Sequence, residues 1–164
     1  MSEPTYRLYR MAAALPDEKY RRDAGAYFRS LHHARNHLPV TDRIWMRRLS
    51  RQGNHPDKLD AILFDDMQSL RGARQAEDAR LVSFVQGLGD ADFEKPCAYR
   101  TLSGAPQRQP LAQILAHLFN HQTHHRGQAH AILTQLGVAE PEPLELLIML
   151  REKGRSASNG AGGR

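Results

Sequence analysis

The stretch from Leu111 to Leu136 constrains this chain most. Stepping about 100° per residue from Leu111 puts Ile114, Leu115, Leu118, Ala129, Ile132, Leu133 and Leu136 in one arc, from about 300° through about 0° to about 40°. A helix this long and this one-sided must bury its stripe against other elements. Pro110 suits its start, where a missing N–H costs nothing, and Gly137 suits the position just past its end. The same stretch carries His117, His121, His124, His125 and His130. On the same wheel His121 falls at about 280° and His125 at about 320°, at or inside the apolar arc. His117 lies at about 240°, His124 at about 220° and His130 at about 100°, outside it.

A second helix is expected from about Ala24 to Leu49, where Tyr27, Phe28, Leu31, Leu38, Trp45 and Leu49 fall within about 60° of one line. Pro39 inside it lacks a backbone donor and crowds the preceding turn, which predicts a kink near Arg35 to Leu38. Residues 52–57 have loop composition, with Asp57 available as a cap, and a third helix is expected from about Lys58 to Leu88, stopped by Gly87 and Gly89. Tyr6, Tyr9 and Ala13 open a shorter first helix that ends near Pro16. Tyr99-Arg100-Thr101-Leu102 before Ser103-Gly104 suggests a short hairpin-like excursion, and Pro141 and Pro143 introduce a short C-terminal helix, Leu144 to Arg151. Three long helices, a shorter one and little strand predict an all-α four-helix bundle. A length of 164 residues predicts one domain, residues 1–153, and the glycine-rich residues 154–164 read as a flexible tail.

Charge and cysteine narrow the partners. The net charge of +5 (23 basic minus 18 acidic) owes much to Arg151, Lys153, Arg155 and Arg164, set against Glu152 alone near the C-terminus. Nucleic acid is therefore disfavoured as a partner, and the run Arg43, Arg47, Arg48, Arg51 reads as a solvated helix end. No apolar run approaches the roughly 20 residues that span a bilayer, so no membrane association is expected. Cys97 is the single cysteine, which excludes an intrachain disulfide and a thiolate-rich zinc site and fits a cytoplasmic setting.

Nine histidines in 164 residues invite a metal reading. Two imidazoles at i, i+4 bring their rings to one cation. On an apolar face two unpartnered imidazoles would each cost about 1–3 kcal/mol in unsatisfied polar atoms, and a shared cation removes that cost. A third ligand should come from the second helix. Counting from Leu31, His37 lies at about 240°, His33 at about 200° and His32 at about 100°, which favours His37. His32, His33, His55 and His130 are expected at the surface or in loops. Residues 122–124 are Gln-Thr-His, so the glutamate base of helical metalloproteases is missing. His117, His124 and Gln128 are candidates to orient ligands or contact substrate. Asp42 is a candidate buried acceptor behind the site, or a purely structural one.

Asn36-His37-Leu38 with Asp42-Arg43-Ile44-Trp45, and His117-Leu-Phe-Asn-His121-Gln-Thr-His-His125-Arg-Gly-Gln128, resemble the DinB family of damage-inducible proteins across about Tyr6 to Leu150. The resemblance implies a four-helix bundle of the DinB/YfiT type, commonly a homodimer, with one divalent metal ion held by His37, His121 and His125. Zinc and nickel both suit such a set. Some relatives are metal-dependent thiol transferases and others thiol-dependent isomerases. The expected function is thus a metal-dependent enzyme activating a low-molecular-weight thiol, or water, against a small electrophile. The alternative is a non-catalytic, metal-stabilised stress-response or binding module.

Overall fold

The structure, a computed structural model, describes residues 3–161. It contains helices α1 (Glu3–Ala13), α2 (Asp17–Arg21), α3 (Leu31–Ser50), α4 (Met67–Gln86) and α5 (Asp90–Phe93), strands β1 (Pro96–Arg100) and β2 (Pro106–Pro110), then α6 (Leu111–Gln135) and α7 (Leu146–Ala161). The all-α expectation holds. The strands form only a small antiparallel hairpin, with Pro96 opposite Pro110 and Arg100 opposite Pro106, turning at Gly104 with φ +86°.

Helix α3 is central, packing on α6 along one side and α4 along another, while α1 covers α6. Two apolar clusters hold these helices together. Leu8, Met11, Tyr20, Leu31 and Ala34 meet Ala129, Ile132, Leu133 and Leu136 in the first. Trp45, Met46 and Leu81 meet Ile114 and Leu118 in the second. The start of α3 therefore lies against the end of α6 and its end against the start of α6, so the two run antiparallel. Each fully buried leucine here contributes about 1.5–3 kcal/mol of transfer free energy. Polar tethers add to this. Asp42, fully buried on α3, ion-pairs with Arg74 of α4 and accepts from Gln122 Nε2 of α6 at 2.9 Å.

Several boundaries differ from expectation. Helix α3 begins at Leu31, because Gly25 and Arg29 take positive φ and Ser30 caps the helix through its Oγ, which accepts from His33 N at 3.2 Å. It then continues through Pro39 to Ser50. Helix α4 begins at Met67, not Lys58, and its cap is Asp66 in place of Asp57; the Asp66 side chain accepts from Ser69 N at 2.7 Å. Residues 51–66 are irregular. The last helix extends past the expected Arg151 to Ala161, and residues 162–164 of the expected tail lie outside the described residues. Pro110 and Gly137 bracket α6 as the sequence suggests.

Candidate metal centre

His37, His121 and His125 meet between the two apolar clusters, where the middle of α3 faces the middle of α6. Each offers a ligand atom, and these atoms lie within 4.8 Å of one another. Ring centroids are 5.1 Å apart for His37 and His121, 4.4 Å for His37 and His125, and 4.2 Å for His121 and His125. His37 is 5 % exposed and His125 8 %, with His121 more open.

Hydrogen bonds set which nitrogen each ring offers. His37 Nδ1–H donates to Leu59 O at 2.9 Å, and His125 Nδ1–H donates to Gln128 Oε1 at 2.7 Å. Both rings are left with an Nε2 lone pair, the arrangement by which outer partners orient metal-binding imidazoles. His121 Nε2 lies 3.2 Å from His37 Nε2. The Thr41 hydroxyl, 3.3 Å from His37 Nε2, donates to the His37 carbonyl at 3.1 Å, so its proton is already engaged. His121 Nδ1 is buried without a partner among the described residues. Tetrahedral zinc with bonds of about 2.0–2.1 Å would put its ligand nitrogens about 3.3 Å apart, so the His37–His121 spacing suits such an ion.

Burial keeps the cluster neutral. His121 is pushed down to about 3, first by desolvation and then by His125 and His37. His125 is pushed down to about 4 by desolvation and His37, against the Gln128 hydrogen bond. Desolvation also lowers His37, opposed by its bond to Leu59. At neutral pH the three rings are uncharged donors, which is the state a cation needs.

Two clefts reach the cluster. One, of about 480 Å3, is walled by Tyr27, Phe28, Leu59 and Asp60. Phe28 stacks on His37 at 4.2 Å and meets His125 edge-on at 5.3 Å. The other, of about 420 Å3, opens between Trp45, Arg48, His117 and the hairpin turn at Thr101 and Ser103. The exposed ring of His117 lies 5.9 Å from His121 at the rim, and the exposed ring of His124 lies 4.9 Å from His125.

The remaining candidates match expectation in part. Gln128 does orient a histidine. Asp42 makes its hydrogen bonds to Arg74 and Gln122, not to the cluster, where its charge acts on His37 only through space; its partner Gln122 gives no sequence signal, being one polar residue among several on α6. His32 is buried, not superficial: its Nε2 bonds Phe64 O at 3.1 Å and its ring packs on Tyr20. His33 pairs with Ser30, His55 is exposed in its loop, and the partly buried His130 contacts Glu142 O at 3.0 Å. Asn36 has no role that its spacing announces, yet it is fully buried and binds residues 51–66. Its Oδ1 accepts from Leu63 N at 2.9 Å and Phe64 N at 3.0 Å, and its Nδ2 donates to Phe64 O at 3.0 Å. Gly127 is exposed beside open space.

Known proteins resemble this chain in sequence and in fold. The chain is 25% identical to Protein DinB of Bacillus subtilis (strain 168) over 131 residues, which cover 76% of this chain and 75% of that one. A solved DinB-like protein from Bacillus cereus ATCC 10987 superposes with a TM-score of 0.59 at 21% identity, covering 82% of this chain and 86% of the other, a likeness of fold. The DinB family model matches residues 3–154, a span that takes in α1 through most of α7 and all three converging histidines, and the chain thus belongs to the DinB family.

Proposed function

We propose that His37, His121 and His125 bind one divalent ion, zinc or nickel, and that the protein is a metal-dependent enzyme of the thiol-transferase type. The observation that carries this reading is the convergence of three neutral imidazoles at the wall of one open cleft, two of which also line a second, with no carboxylate in the set. A dication held by three neutral nitrogens would retain its full charge and supply Lewis acidity that ionises a thiol or water at neutral pH. The protein's own residues do the rest. Leu59 O and Gln128 fix the tautomers of His37 and His125, Phe28 shields both rings from water, and the two clefts would admit the reactants to the shared wall formed by His37 and His121. In the transfer, the thiol sulfur bonds to the electrophilic carbon, its proton passes to solvent, and the leaving group departs with its electron pair. The test is metal analysis of the purified protein followed by a thiol-transfer screen with several electrophiles. Stoichiometric metal with transfer activity that a chelator abolishes is expected; activity indifferent to the chelator would end the proposal.

A non-catalytic reading draws on the position of the cluster between two apolar clusters, where an ion would staple α3 to α6. A large chelator-induced drop in Tm, with no transfer activity across the screen, would favour it. Association as a homodimer is part of the proposal and is read by sedimentation.

A further inference from the structure

The arginines at the end of α3 are solvent-accessible, as a solvated helix end would be, but they also share a groove. Arg43 pairs with Glu77 at 3.4 Å, but Arg47, Arg48 and Arg51 turn toward the hairpin and, with Tyr99, Arg100 and Gln107, line a groove of about 750 Å3. Among the described residues no carboxylate lies within 4.0 Å of any of the four groove arginines. Backbone carbonyls position three of them. Arg47 donates to Arg51 O, Arg51 Nη2 to Ala98 O at 3.3 Å, and Arg100 Nη1 to Gly104 O at 2.7 Å. Arg48 is different. Its guanidinium lies over the faces of Trp45 at 4.6 Å and Tyr99 at 5.0 Å, which fix its plane while leaving its N–H edge available.

Four like charges line this concavity with no carboxylate among them, so an anion entering it would supply the missing counter-charge. A guanidinium with an available edge presents parallel donors that match a carboxylate or phosphate. The groove volume falls within the roughly 300–1,000 Å3 typical of small-molecule sites. The four groove arginines come from one helix end and one hairpin, a compact set suited to a small anion. Arg48 also lines the cleft that reaches His37 and His121, so the groove and the histidine cluster share a wall.

We propose that this groove binds a small anionic molecule through its carboxylate or phosphate, with Arg48 as the anchor, and that an anionic group is therefore the substrate feature recognised beside the histidines. The substrate assignment rests on the enzymatic reading given above, whereas the groove itself needs no metal. Trp45 is the single tryptophan and lies against Arg48, so its fluorescence reports occupancy. Inorganic pyrophosphate and tricarballylate are titrated into chelator-treated and metal-loaded protein, with calorimetry giving the same Kd without the fluorophore. Saturable binding of either probe in both preparations is expected, with pyrophosphate preference assigning phosphate and tricarballylate preference assigning carboxylate. Arg48→Gln and Arg100→Gln should each weaken it about ten-fold or more, as loss of a charge-assisted contact does. No saturable binding to the wild type, an unchanged Kd in both variants, or tighter binding of a single-stranded oligonucleotide than of either probe would overturn the proposal. Groove binding that survives in a protein without transfer activity would instead count only against the enzymatic reading.

Discussion

Helix α6 and residues 51–66 both help build the histidine cluster, and they do so by unlike means. Helix α6 supplies His121 and His125 by strict helical spacing, anchored at both ends by apolar clusters. Residues 51–66 supply no ligand side chain and have no regular structure; they act through main-chain carbonyls, Leu59 O on His37 and Phe64 O on His32. They are held in turn by Asn36, by Arg80 Nη2 donating to Gln52 O at 2.7 Å, and by Arg21 Nη1 on Asp65 at 2.7 Å. Periodic packing places His121 and His125, and an aperiodic segment orients His37.

The sharpest way to break this division is on α6. His121→Ala and His125→Ala should each abolish stoichiometric metal; full metal content in both variants, by elemental analysis, would refute the ligand assignment. On the other side, Asn36→Ala removes the clamp on Leu63 and Phe64. It should cost about 2–4 kcal/mol in urea unfolding, by the usual cost of stranding buried donors and acceptors. It should also weaken metal binding about 10–100-fold, as loss of outer orienting groups does. Metal affinity equal to wild type would show that residues 51–66 do not aim His37. Acid tests both sides together. His121 and His125 on α6, and His32 against Phe64, all have pKa values lowered by burial. The unfolded chain then binds more protons below the ordinary imidazole value near 6.5, so their contribution is complete above that pH and is lost as pH falls toward about 4. The Tm of metal-free protein should decline across that window, and less steeply in His32→Asn; a flat profile would contradict the burial. Gln128→Ala should weaken metal binding about ten-fold with little change in Tm. Smallest, Asp66→Ala should cost about 1 kcal/mol by uncapping α4, with metal content unchanged.

What is legible in the sequence follows the same division. The phase of α6, its bracketing by Pro110 and Gly137, and the pairing of His121 with His125 depend only on near neighbours along the chain, which periodicity captures. Leu59, Ile62 and Leu63 imitate the continuation of a helix, but Leu59 is 51 % and Ile62 40 % exposed, so their spacing reflects no buried stripe. Their conformation is set by Asn36, more than twenty residues away in the chain, and no local pattern encodes such a contact. Helical phase misplaces His32 for the same reason. Its direction on α3 points away from α6, toward a surface that residues 51–66 turn out to cover. His37, by contrast, is legible from both its phase and its motif because it faces α6 directly. Arg48 belongs to a run whose charge is evident, while the rings that hold it come from α3 and from the hairpin.

The bond from His37 to Leu59 is made to a carbonyl that every amino acid possesses. Side chains at Leu59 and Asp60, which wall the larger histidine cleft, can therefore be exchanged without changing what His37 is bonded to. Selection, or a designer, can rewrite the lining of this cleft while the three histidines keep their arrangement. Divergence among relatives should accordingly concentrate in this segment, leaving the histidines fixed while the shape and polarity of the cleft beside them change.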